Sequence, residues 1–181
     1  RRPPRSTRGR SSAASDVYKR QGDAFQDPHK TQAGPFYGQQ ALVFSRLLSY
    51  ESMTTGKLAP DLAVGMPEQP DAQTLIFHIN PDARWHDRDP LNGRSVTAKD
   101  VEFSLRRQID GDPSFVRKAQ WAGIDSIEVT DAAARTVKIK LKAPQAAIVN
   151  AFADVNSFIV APELTDQGLS LIHISEPTRP Y

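Results

Sequence analysis

The sequence predicts an α/β fold in the broad, α+β-like sense. Three observations carry that prediction. Apolar residues alternate over 74–80 and recur as strand faces over 124–129 and 137–141. Val101, Leu105 and Ile109 repeat every four residues, as on one face of a helix. Strands and helices then mix without a regular βαβ rhythm.

From the N-terminus, 22–40 is rich in turn formers (Asp27-Pro28, Gly34-Pro35, Gly38) and is expected to be mostly irregular. Ala41–Leu48 reads as a short apolar helix or turn leading through Ser49 to Tyr50 and Glu51, and Thr54-Thr55-Gly56 marks a break before Leu58. Thr74–Asn80 places Leu75, Phe77 and Ile79 on one face and Thr74, His78 and Asn80 on the other, a half-buried strand with Ile76 as its exception. The chain re-enters the interior at Trp85, and Asp87–Gly93 is a polar loop. Thr97 and Asp100 form a helix start, with a hydroxyl at the cap and a negative charge in the first turn; Gly111-Asp112-Pro113 ends that helix. Ile124, Ile127 and Val129, then Val137, Ile139 and Leu141, make two strands, with Lys138, Lys140 and Lys142 on the wet face of the second. Pro144–Phe152 is expected to be a helix and Phe158–Val160 a short strand.

The two ends of the chain have another character. Asp16-Val17-Tyr18-Lys19-Arg20-Gln21 can be written GAT-GTG-TAT-AAG-AGA-CAG. Its reverse complement, CTG-TCT-CTT-ATA-CAC-ATC, encodes Leu169-Ser170-Leu171-Ile172-His173-Ile174. No folding requirement produces that relation. It resembles the inverted end of a transposase adapter used to build sequencing libraries, and the outer residues continue the resemblance. Residues 1–21 and 169–181 are therefore expected to be adapter-derived and disordered, leaving 22–168 as an N-terminal fragment of a natural domain. The exclusion reverses the charge. The whole chain has 23 basic and 21 acidic residues, whereas 22–168 holds 15 and 19. The arginines at 1, 2, 5, 8 and 10 are thus not a nucleic-acid arm. The remainder has no basic stripe with interleaved aromatics, so no nucleic-acid partner is expected.

The chain has no cysteine, which excludes disulfides, zinc–thiolate sites and cysteine nucleophiles within it. No apolar run reaches the roughly 18 residues that cross a bilayer. His86-Asp87-Arg88-Asp89 invites a metal or acid–base reading. A hydrolytic metal site needs three convergent ligands, however, and Asp87 suits a loop-turning role better. His29, inside Asp27-Pro28-His29, is expected to be structural, and Trp85 and Trp121 to be core plugs. No catalytic residue, metal site or cofactor is assigned.

The order of the pieces says more than any one of them. Asp27-Pro28-His29-Lys30 is followed by Phe44-Ser45-Arg46-Leu47-Leu48, Leu58-Ala59-Pro60-Asp61-Leu62-Ala63 and Thr74-Leu75-Ile76-Phe77-His78-Ile79. Ala83-Arg84-Trp85-His86-Asp87 and Thr97-Ala98-Lys99-Asp100-Val101-Glu102-Phe103-Ser104-Leu105 come next. The set resembles the family 5 extracellular solute-binding proteins, the oligopeptide- and dipeptide-binding receptors of ABC importers. One departure is clear: the family's His-Asp-Gly-x-Pro becomes His86-Asp87-Arg88-Asp89-Pro90, with Gly93-Arg94 restoring a turn later.

The resemblance implies a bilobed fold of the periplasmic-binding-protein type II kind. The fragment would hold the start of one main lobe and most of the small lobe specific to the family. It implies a monomeric, non-enzymatic receptor, periplasmic or otherwise extracytoplasmic, with a missing signal peptide. Its partners would be a peptide or similar small solute and the importer's permease and ATPase. Carried over, the segment that pairs with an extended ligand is Gln32, Ala33 and Gly34, where main-chain pairing would satisfy a peptide without reading its side chains. The rival expectation is a ligand-sensing domain of a transcription regulator with the same fold.

Overall fold

In the computed structural model the described residues are 27–30, 40–52, 54–129 and 135–165. The expectations for 1–21, 169–181 and Gln32–Gly34 lie outside them.

Residues 40–43 make one helical turn, and the chain is extended from Phe44 into strand β1, Leu48–Ser52. The short helix or turn expected over 41–48 is thus a single turn, and the rest of that stretch is not helical. Four residues cannot sustain a helix on propensity alone. Leu47 and Leu48 instead bury completely, with Leu48 N–H donating to Phe152 O at 3.3 Å. Strand β2, Lys57–Pro60, returns antiparallel to β1. The turn between them closes on Gly56, whose φ of +64° is cheap only for glycine.

The second sheet has four strands in the order β3 (Glu68–Asp71), β4 (Thr74–His78), β6 (Thr136–Leu141), β5 (Ile124–Val129), every pair antiparallel. Strand β3 carries no signal in the residue pattern. It has no apolar residue, is wholly exposed and sits at an edge, where Pro70 costs no ladder bond. Asp71 builds the tight return into β4, its carboxylate accepting from Gln73 N–H at 2.8 Å and Thr74 Oγ1 at 2.9 Å.

Register puts Leu75 opposite Ile139 and Phe77 opposite Val137, all on the buried face, while Ile76 faces Lys138 on the other. Thr74, expected on the wet face, is buried at the strand's start by its bond to Asp71. In β5 a bulge between Ile124 and Ser126 explains why Ile124 and Ile127 both face inward at a spacing of three. Lys140 and Lys142 are exposed, and Lys138 pairs across the strands with Glu128 at 3.2 Å, so the lysine face is the wet one.

Helix α1, Ala98–Asp110, lies over this sheet with Val101 and Leu105 fully buried and Ile109 packed at the margin. Its start is the one expected, with Thr97 at the N-cap and Asp100 in the first turn, the two paired as a capping box. The Asp100 carboxylate accepts the Thr97 amide at 2.8 Å and the Thr97 hydroxyl at 3.2 Å. Beyond α1, a 3-10 turn (Lys118–Trp121) delivers Trp121 into the core against Phe152, centroids 5.1 Å apart, with the Phe77 ring 4.8 Å from the same phenylalanine. Trp85 is buried as well, so both tryptophans are core residues.

The helix expected over 144–152 contracts to α2, Ile148–Ala151. The chain must turn at once to bury Phe152 and Ala153. Phe158–Val160 is extended and buried but makes no ladder. Ile159 N–H donates to Ser45 O at 2.9 Å and Val160 N–H to Ser104 Oγ at 2.9 Å. A last turn, α3, spans Pro162–Thr165. Helices laid on an antiparallel sheet give the α+β arrangement anticipated. Among the described residues no helix is long and apolar enough to cross a membrane.

Candidate functional site

The turn Asp27–Lys30 is the best-fixed feature near the expected ligand segment. Asp27 organises it locally: its Oδ1 accepts His29 N–H and its carbonyl accepts Lys30 N–H, both at 3.0 Å. Everything else that holds the turn comes from far along the chain. Arg107, in the last turn of α1, donates to both Asp27 oxygens, Nη1 to Oδ1 at 3.1 Å and Nη2 to Oδ2 at 2.8 Å. The two side chains are only 14% and 7% exposed, so the pair is largely out of water. The guanidinium also lies 4.6 Å above the centre of the Phe115 ring.

His29 is fully enclosed. Arg107 Nη1 lies 2.6 Å from its Nδ1, and Phe158 O lies 2.9 Å from its Nε2. Arginine can only donate, so Nδ1 must be the acceptor. The proton then sits on Nε2 and is donated to Phe158 O, which fixes both the charge state and the tautomer. The Gln108 amide nitrogen, itself a donor, lies 3.2 Å from the same Nε2 and finds no acceptor there, while Gln108 Oε1 accepts Trp121 Nε1–H at 2.9 Å. Val116 N–H donates to His29 O at 3.1 Å, and Asn156 Nδ2 to Pro28 O at 2.5 Å.

The electrostatics follow from this packing. Burial pushes the His29 imidazole down to about 4, helped by the Arg107 charge, while the bond to Phe158 and the Asp27 charge oppose it. Burial alone would raise Asp27, but the hydrogen bonds and charge of Arg107, with His29 beside it, hold that carboxyl below its ordinary value.

A second polar cluster is structural. Arg94 donates to Asp100 through Nη1 and Nη2 at 2.9 and 2.7 Å, and to Glu163 through Nε and Nη2 at 2.7 and 2.8 Å. Burial disfavours the Arg94 charge, but the two carboxylates outweigh it and raise its pKa. The cluster ties the 87–96 loop, the start of α1 and α3 together, beside Trp85, whose Nε1 is 3.4 Å from Asp100. His86 and Asp87 do not converge with a third ligand, and no metal-holding group of acids and histidines occurs among the described residues. Burial and the nearby Arg88 charge lower the His86 pKa. His78 is exposed and paired with Glu68 at 3.1 Å, as its wet-face position implied.

Gln32, Ala33 and Gly34 lie outside the described residues. What the structure provides is a firm footing two residues before them, at Lys30. Sequence reasoning marked Asp27 and His29 as a turn but missed Arg107, Gln108 and Asn156, which lie about 80 to 130 positions away. No local pattern signals such partners.

A sequence model of the bacterial extracellular solute-binding proteins, family 5 (Middle), matches residues 57–174, more than half the chain. The chain belongs to this family. The match runs six residues past Gly168, into the stretch expected to be adapter-derived, and begins after the 27–30 turn. The periplasmic oligopeptide-binding protein OppA of Haemophilus influenzae is 37% identical over 84 residues, 46% of this chain and 14% of that protein. Di/tripeptide-binding protein 4 of Pseudomonas aeruginosa is 29% identical over 140 residues, 71% of this chain and 26% of that one.

Among solved structures, the periplasmic binding protein DppA of Helicobacter pylori, in complex with the peptide STSA, superposes with a TM-score of 0.66 at 25% identity. The match covers 78% of this chain and 30% of that one. AgaA of A. tumefaciens R10, in complex with agropinic acid, gives 0.65 at 27%, covering 82% and 28%. The fold is thus that of type II periplasmic binding proteins, of which this family 5 chain supplies a part. It spans about a seventh to a quarter of the curated relatives' length.

Proposed function

We propose that the chain is part of the substrate-binding component of an ABC importer. The complete receptor captures an extracytoplasmic peptide, or a similar small solute, and hands it to the permease and ATPase. The observation that carries this reading is the family match over 57–174, together with relatives named for binding oligopeptides and di- or tripeptides. The agropinic acid complex widens the candidate solutes beyond peptides. The regulator alternative gains no support from these relatives.

In this reading the protein is a non-enzymatic monomer outside the cytoplasm. The Asp27–Lys30 turn presents Gln32, Ala33 and Gly34 to the ligand's main chain. Pairing of that kind satisfies peptide donors and acceptors whatever the side chains, which suits a receptor that feeds on mixed peptides. Closure on the ligand must come from tighter binding to the closed state, since equal affinity for both states shifts nothing.

Calorimetric titration of the full-length receptor with di-, tri- and tetra-alanine tests the proposal. Saturable binding near the micromolar range is expected. Absence of heat with all three, alongside turnover of a peptide, would replace the receptor by an enzyme.

A further inference from the structure

We propose that Arg107 is a positioning residue for ligand capture. By gripping Asp27 and His29 together it docks the 27–30 turn on α1 and sets the point from which the next segment of chain departs. The inference rests on the receptor reading above.

The geometry demands a guanidinium. Three acceptors, the two Asp27 oxygens and His29 Nδ1, lie in reach of two Nη atoms, and a flat aromatic face lies beneath at 4.6 Å. An ammonium is a compact point donor and cannot span all four contacts. The turn also has little of its own to hold it. Among the described residues its internal hydrogen bonds are the two made by Asp27, and its other hydrogen bonds, Arg107 apart, are neutral ones with Val116, Asn156 and Phe158. Arg107 supplies the countercharge that lets a nearly buried Asp27 stay ionised, so losing it leaves an unpaired charge. The other ion pair at the turn, Lys30 with Asp112 at 3.7 Å, is about half exposed and weak. Docking of the turn and the presence of Arg107 are therefore coupled.

Residue-by-residue hydrogen exchange on the 181-residue chain tests the anchor, using Arg107→Lys and Arg107→Ala. Both should speed exchange of the His29, Lys30 and Val116 amides about tenfold, while the paired amides of β4 and β6 stay within about twofold. Added guanidinium should restore protection in Arg107→Ala, and methylammonium should not. Unchanged turn amides, equal acceleration across the sheet, or equal rescue by methylammonium would each overturn the proposal. Arg107→Lys keeps the test decisive if the alanine variant does not fold.

In the full-length receptor, Arg107→Lys should weaken tetra-alanine binding by about tenfold, with the melting temperature shifted by no more than a few degrees. Unchanged affinity would remove ligand capture from the role of Arg107. If the unmutated receptor binds no peptide, the receptor reading falls, while the exchange result still decides whether Arg107 is the anchor.

Discussion

Arg94 and Asp100 meet through two hydrogen bonds, one to each carboxylate oxygen, at 2.9 and 2.7 Å, although one ends a loop and the other lies in the first turn of α1. Asp100 is buried to 3% exposure and also accepts the Thr97 amide, so one carboxylate both caps the helix and pins the loop. Replacing it with alanine removes the cap and strips Arg94 of its more buried partner. The expected loss is about 2–4 kcal/mol, read by urea unfolding. Glu163→Gln, on the solvent side of the same arginine, should cost under about 1 kcal/mol. Equal losses from the two would refute this division of labour.

Stability should depend on His29 with a defined sign. The folded-state pKa of about 4 lies below the unfolded value of 6.5, so between these values the unfolded chain binds more protons. The contribution of His29 is complete above about 6.5 and fades as pH falls to about 4. Its full size is on the order of 3 kcal/mol. Asp27, held below 3.8, adds a further loss only in stronger acid. Urea midpoints from pH 7 to 4 check this. A His29→Gln variant should show a flatter profile over that window, and an unchanged slope would mean that His29 does not set the acid sensitivity.

Phe77 and Trp121 both pack against Phe152 in the core. Phe77→Ala should cost about 3–5 kcal/mol. Trp121→Phe leaves Gln108 Oε1 without its indole donor and should cost about 1–3 kcal/mol beyond any packing change. Lys140→Ala, on the wet face, should change stability by less than about 0.5 kcal/mol. A large effect there would mean that the lysine face is covered.

The 181-residue chain alone should bind no peptide detectably, because it spans only a small part of the relatives it matches. Calorimetry of the chain showing micromolar affinity for tetra-alanine would contradict the view that the cleft needs residues outside it.

Much of the architecture was legible because it rests on local pattern. Leu75, Phe77 and Ile79, Val137, Ile139 and Leu141, and Val101 with Leu105 each declare a buried face by their spacing, and each is buried. The failures share a different cause. β3 has no apolar residue and exists only because β4 offers an edge, while 144–152 and 158–160 take their shapes from what they must bury. The anchored turn was half legible: Asp27-Pro28 signals a bend, but its grip depends on Arg107, 80 positions away. Gln32, Ala33 and Gly34 came from the family resemblance alone and stay a proposal.

The proposed role of Gln32, Ala33 and Gly34 in peptide capture stands or falls on main-chain pairing, and backbone methylation of the ligand probes that pairing without touching the protein. Calorimetry of the full-length receptor should show tetra-alanine losing about tenfold or more in affinity when its internal amide nitrogens are methylated, since each lost donor leaves a buried partner unsatisfied. Changing side chains at the same positions should alter affinity less. Equal affinity for the methylated and unmethylated peptides, with strong dependence on side chain, would rule main-chain pairing out.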